Sequence, residues 1–317
     1  MYAVHVVFAV VLVTCGLIVA VLLTSRWFIA RRGTALGLVI VGTSLGGVVF
    51  PVLNTYAIGA FGWRTAMLVL VAAPVLLLVA IAALVKEYPS DVGLQPYGHV
   101  PSTTTAGPPP HAAGLDYGEA IRTVTFWALA VAAMTTFYSI LGAQAHLILY
   151  LRSVGLSDVA AASGLSLLFV MGLVGKFAFG LLADVFDKKK VLLLNLVVMW
   201  LGSLAFASMS TKAIWPAILL FGFGWGGIYT LLQVLCMSSF GLKAGGKILG
   251  TITVLDAIGG GLGIWLTGLL YDRTGSYALP FGLLAGMVTV SLVAGPLVTP
   301  RLAGRPAPPV APPASSR

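Results

Sequence analysis

The sequence predicts an all-α, polytopic transmembrane bundle, and three observations carry that prediction. Hydrophobic residues make up 59% of the 317 residues and charged residues only 9%, too little polar surface to coat a water-soluble globule of this length. The apolar residues are gathered into runs long enough for the roughly 20 helical residues that cross a ~30 Å hydrocarbon layer. Those runs are unbroken, whereas a lipid-facing β-barrel needs alternating segments of about 10 residues, so their backbone groups must be satisfied within helices.

In chain order the runs cover 4–23, 35–58, 66–85, 126–150, 159–183, 191–208, 214–240, 248–271 and 278–299, about nine spans by the length criterion. Arg26 and Arg31-Arg32-Gly33 separate the first from the second, and Gly62-Trp63-Arg64 the second from the third. After Lys86 the pattern breaks into Pro, Gly, Ser and Thr, with Ser102–Thr105 and Pro108–Pro110, up to Arg122; such composition makes a linker. Lys188-Lys189-Lys190 open the sixth run and Lys243 and Lys247 precede the eighth. The Pro- and Ala-rich tail after Thr299 is expected to be disordered. The chain therefore divides into a partial N-terminal bundle (1–86), a cytoplasmic linker (87–121), a six-helix C-terminal bundle (122–300) and a cytoplasmic tail (301–317).

Alternate connections differ in charge. One set carries Arg26, Arg31, Arg32, Lys86, Arg122, Lys188–Lys190, Lys243, Lys247 and the tail arginines; the other has only Arg64, Arg152, Lys212 and Arg273. Lys and Arg are retained in the cytoplasm, so the first set and the C-terminus are expected inside, and an odd number of spans then places Met1 outside. The net charge of +9 is thus topology, dispersed among loops, and not a basic nucleic-acid surface. Cys15 and Cys236, the two cysteines, fall within apolar runs with no metal-ligand spacing and receive no role.

Arg26-Trp27-Phe28, Arg31-Arg32-Gly33, Ala35-Leu36-Gly37, Gly42, Gly46-Gly47, Pro51 and Gly62-Trp63-Arg64 resemble the fourth-to-sixth helix region of the major facilitator superfamily, and within it the monocarboxylate and oxalate/formate transporter-like branch. Pro89, Gly93-Leu94, Pro96 and Gly98 are similar to the segment after the sixth helix in bacterial members, and Asp272–Tyr277 to their last interhelical loop. Gly180-Leu181-Leu182-Ala183-Asp184-Val185-Phe186-Asp187-Lys188-Lys189 resembles the superfamily's cytoplasmic loop signature, with Val185 where a basic residue is usual and Asp187 where Gly is usual. Four spans follow it, which matches the signature's second site, between family helices eight and nine. The resemblance implies that three family helices and the first signature precede this chain. It implies secondary transport of a small organic anion by alternating access, with protons as a candidate coupling ion, in a bacterial plasma membrane. The chain alone is expected to insert but not to transport; the alternative is a non-transporting fragment of such a transporter.

Gly180, Asp184, Lys188 and Lys189 are the expected gating motif: Gly180 allows close helix approach, Asp184 at a helix end can pair with a base or cap a neighbouring helix, and the lysines hold the loop inside. A solvated turn obeying the charge bias explains the same residues. Within spans, Lys176 and Asp256 stand out, since a charge at a helix centre costs about 2.5–3.5 kcal/mol and survives mainly with a partner or a wet cavity. Lys176 lies eight residues before Asp184, Asp256 nine after Lys247, so both sit roughly 12–13 Å from the same face. Their matched depths predict a pair in which Lys176 attracts an anion and Asp256 competes for it. Gly172, Lys176 and Gly180 recur every fourth residue, a stripe that faces protein. In the resembling family a basic residue four before the signature glycine binds the substrate carboxylate; Lys176 holds that place where Arg is usual, keeping the charge without the bidentate fork. A lysine that snorkels to the interface is the bland reading.

Tyr138, Gln144 and His146 are further candidate substrate-path residues on the fourth run, against wet-surface positions. The glycines of 248–271 suit either a bending helix or close packing. Phe and Trp show no motif. Asp184-Val185-Phe186-Asp187 superficially resembles the Asp-rich magnesium–diphosphate site of membrane prenyltransferases, but no second cluster, phosphate loop, HExxH or nucleophile elbow accompanies it. The chain is read as no enzyme, with no cofactor and no metal; its partners are a small organic anion, candidate protons and membrane lipid, and no nucleic acid.

Overall fold

The structure, a computed structural model, describes residues 16–99 and 114–299, and the side chains of all of these except 47–56 and 73. The described residues form eight long helices: α1 (Leu17–Trp27), α2 (Arg32–Leu84), α3 (Val124–Ser153), α4 (Asp158–Val185), α5 (Lys188–Ala207), α6 (Ile214–Phe240), α7 (Gly245–Thr274) and α8 (Ala278–Ala294). Seven stretches among them are long and apolar enough to cross a membrane. The chain is an all-α transmembrane bundle, as its composition predicts. The expected runs 35–58 and 66–85 share α2, which breaks at Gly62, where φ is +72° and ψ 160°; only glycine adopts such a backbone without steric cost, so it parts two spans inside one continuous element. Of the first expected run, 16–23 lie in the described residues; Cys15 and the tail lie outside them.

Caps set the helix starts. The Thr123 side chain accepts from Phe126 N–H to begin α3 and the Ser157 side chain from Ala160 N–H to begin α4, and Asp187 accepts the N–H groups of Lys189 and Lys190 to begin α5. A side-chain oxygen there satisfies donors that have no carbonyl partner within the helix. Asp187, standing where the superficially matching signature has Gly, thus starts the next helix.

The closest packing is mostly between helices that are not consecutive in the chain. Helix α3 packs chiefly against α7 and α8, α6 against α4 and α5, and α2 against α4. Small residues set these distances: a Cβ on Gly259 or Gly263 of α7 would run into the carbonyls of Met134 and Tyr138 of α3, and one on Gly175 or Gly226 would strike the facing backbone between α4 and α6. Helices in lipid gain no hydrophobic advantage by associating, so backbone approach at glycines supplies the packing. Aromatic rings pack where α3 and α5 end and α8 begins, with Tyr150 stacked on Phe281 at 4.1 Å and its hydroxyl donating to the Phe206 carbonyl at 2.8 Å.

The linker is anchored at both described ends. Tyr97 N–H donates to Trp27 O (2.8 Å), its carbonyl accepts from Ile29 and Ala30, and Arg26 pairs with Glu87 while lying 4.6 Å over the Tyr88 ring. At the other end Leu115 N–H donates to Phe240 O (2.9 Å) and Lys243 pairs with Asp116 at 2.9 Å. Ser102–Thr105 and Pro108–Pro110 lie outside the described residues.

Candidate functional site

The site is built on α4. Glycines at 172, 175 and 180 leave α4 no side-chain spacer on the faces turned to α6 and α2, so Lys176 is drawn into the contact between three helices and is 2% exposed. Its ammonium donates to Thr43 Oγ1 and Ser44 Oγ of α2, each at 2.6 Å. On its α6 side lie the faces of Trp225 and Tyr229, with ring centroids 5.3 and 5.1 Å from Nζ, a distance at which the ring quadrupole attracts a cation. Phe169 packs edge-on against Trp225 and Phe137 of α3 lies 5.6 Å from Tyr229, closing an aromatic collar. The snorkelling reading fails here, because the side chain is buried and its head is held by α2 and α6.

No carboxylate balances this cation. All nine acidic residues lie among the described residues, and the ion pairs there engage Glu87, Asp158 and Asp116. The pairing of Lys176 with Asp256 expected from their depths is therefore absent. Depth along two helices fixes neither their azimuth nor their adjacency, and α4 and α7 are not among the closely packed pairs. Asp256 is half-buried on α7.

Two turns further along α4, Asp184 caps α2. Its Oδ1 accepts from Gly33 N–H (2.7 Å), and its Oδ2 accepts from Thr34 N–H (2.6 Å) and the Thr34 hydroxyl (2.7 Å). Gly33 and Gly180 interlock, since a Cβ on either would run into the other's carbonyl oxygen, and Gly37 lies equally close over the Lys176 carbonyl. A carboxylate at a helix N-terminus also meets the positive end of the helix dipole. Of the two roles open to Asp184 from sequence, it performs the cap. Arg32 is nearby, its guanidinium donating to Phe28 O and Ser25 O; burial lowers its pKa from the ordinary arginine value, and the Asp184 charge acts the other way. Lys188 and Lys189 begin α5 and form no ion pair among the described residues.

Tyr138, Gln144 and His146 are not gathered around Lys176. Tyr138 is 5% exposed with its hydroxyl unpartnered, at the α3–α7 crossing. Gln144 is half-buried with Nε2 unpartnered, and His146 Nε2 lies 3.1 Å from the Ile264 carbonyl, its ring 6.1 Å from Tyr277. The residue of α3 that reaches the collar is Phe137. Sequence reasoning missed Thr43, Ser44, Trp225 and Tyr229. The two rings had a signal, a Trp and a Tyr four apart and so on one face of a helix, beside the glycines 222, 224, 226 and 227. The hydroxyls, on another helix, had none.

The family model described as Major Facilitator Superfamily matches residues 1–264. Monocarboxylate transporter 13 of Bos taurus is 31% identical over 267 residues, which are 81% of this chain and 58% of that protein. The uncharacterized MFS-type transporter YhjX of Escherichia coli K12 is 25% identical over 239 residues, 74% of this chain and 56% of that one. The chain thus spans less than three fifths of the length of these relatives. In the crystal structure of FucP, a Major Facilitator Superfamily transporter in the outward conformation, a similar fold covers 84% of this chain and 68% of that one, with a TM-score of 0.59 and 18% identity.

Proposed function

This chain belongs to the Major Facilitator Superfamily, and on that premise we propose that it serves secondary transport of a small organic anion of the monocarboxylate class by alternating access about Lys176. One observation carries the reading: a lysine 2% exposed within an apolar bundle, with no carboxylate in ion-pair reach. A buried charge is costly unless paired. Two neutral hydroxyls and two ring faces offset part of that cost, and an anionic ligand offsets more. The name of the bovine relative agrees with this chemistry. Residues 1–86 and 122–300 are the two bundles that move against one another in this reading, with Asp184 and its three hydrogen bonds to α2 as a gate on the cytoplasmic side, and Asp256 as the candidate proton site. The protein is then a multi-pass plasma-membrane protein with a cytoplasmic C-terminus.

Binding tests the assignment without requiring transport. The purified chain in lipid nanodiscs is titrated with sodium acetate at constant ionic strength, and tryptophan emission is followed because Trp225 lies 5.3 Å from the ammonium. Saturable response in the parent and its loss in Lys176→Gln are expected. A response unchanged in Lys176→Gln sinks the anion site.

A further inference from the structure

We propose that Thr43 and Ser44 occupy the place on Lys176 that a carboxylate takes on binding, so that these two hydroxyls set the affinity of the site. The inference rests on the reading of Lys176 as the anion site and adds what the ligand must displace.

An ammonium has three donors. Two are committed to Thr43 Oγ1 and Ser44 Oγ at 2.6 Å, and the faces of Trp225 and Tyr229 fill the α6 side. Lys176 is 2% exposed and Ser44 1% exposed while Thr43 is exposed, so the open approach to Nζ is the side that Thr43 covers, and an anion entering there meets its hydroxyl first. The exchange is electrostatically favourable, since a full negative charge compensates a buried ammonium better than a neutral oxygen does. Thr43 can leave cheaply: its own proton is already donated to the Ile40 carbonyl at 2.8 Å, a bond within α2 that does not depend on Lys176.

The exchange also has a mechanical consequence. Helix α4 holds α2 by polar contacts at two levels, Lys176 on Thr43 and Ser44, and Asp184 on Gly33 and Thr34. A carboxylate that takes over Lys176 removes the first and leaves the second. Binding thereby loosens the α2–α4 contact near the ligand while its end remains fastened.

The test is acetate binding by the nanodisc-embedded chain in Thr43→Val, Ser44→Ala and the double variant, beside Thr43→Ser and Lys176→Gln. Removing a competitor tightens binding, so the double variant is expected to bind acetate roughly tenfold more tightly than the parent, each single variant by less, and Thr43→Ser like the parent. A loss of packing alone only weakens binding, so the gain in affinity is the distinguishing readout; the single variants serve if the double variant does not fold. Parent-like or weaker binding in every hydroxyl-free variant, with parent binding intact and Lys176-dependent, overturns the displacement and leaves the anion site standing. A parent that does not bind, or binding that survives Lys176→Gln, overturns both.

Discussion

Asp184 shows how much one side chain can hold when it sits at another helix's start. Its two oxygens accept three hydrogen bonds from Gly33 and Thr34, and hydrogen bonds to a charged acceptor contribute about 1.5–3 kcal/mol each before non-additivity. Asp184→Ala is expected to destabilise the protein by roughly 2–3 kcal/mol, because it strands two backbone donors inside a glycine contact too tight to admit much water. Thr34→Val removes one hydroxyl bond to the carboxylate and keeps both backbone bonds, so it is expected to cost about 1.5 kcal/mol, the low end for a charged acceptor. Thermal unfolding in detergent orders the two; equal effects would show that the backbone cap contributes nothing. The sequence displayed Asp184 as a helix-end carboxylate that caps or pairs, but not its partner, since Gly33 lies 151 positions away and no local pattern links them. Lys176 is the same case: its burial followed from the glycine spacing, its hydroxyl partners did not.

At the scale of elements the glycines decide how helices meet. On α7, Gly263 faces the Tyr138 carbonyl of α3, whereas Gly261 has open space where a Cβ would go. Gly263→Ala is expected to cost about 1–3 kcal/mol by overpacking. Gly261→Ala is expected to be neutral or stabilising by up to about 1 kcal/mol, since alanine is the better helix former. Melting curves of the two variants check this, and similar destabilisation by both would mean that bending of α7, and not its contact with α3, is what the glycines protect. Both readings of this glycine run were open in the sequence. Helical periodicity says which residues share a face but not what stands opposite, and only the α3–α7 crossing separates glycines in contact from glycines facing space.

At the scale of the whole molecule, orientation follows from charge. Reporters placed at Ser102–Thr105 and after Arg305 are expected in the cytoplasm and one beside Arg273 outside, because the basic residues favour that sidedness; accessibility labelling of intact cells reads each position, and an internal Asp272–Ser276 loop would overturn the assignment. Tyr97 is pinned to Trp27, Ile29 and Ala30, and Leu115 and Asp116 to Phe240 and Lys243, contacts of the segment's described ends that composition alone could not show. What the sequence determined by itself is what lipid dictates residue by residue: helices, the apolar stretches long enough to span, the parting of two of them near Gly62, and the rarity of a charge such as Lys176 inside a span. These follow from the cost of unsatisfied backbone and charge in hydrocarbon, which each segment meets on its own. Only the tertiary structure decided that Lys176 lies against Thr43, Ser44, Trp225 and Tyr229 and not against Asp256, because rotation and adjacency of helices are set by packing between segments distant in the chain, to which the periodicity of any one helix is blind.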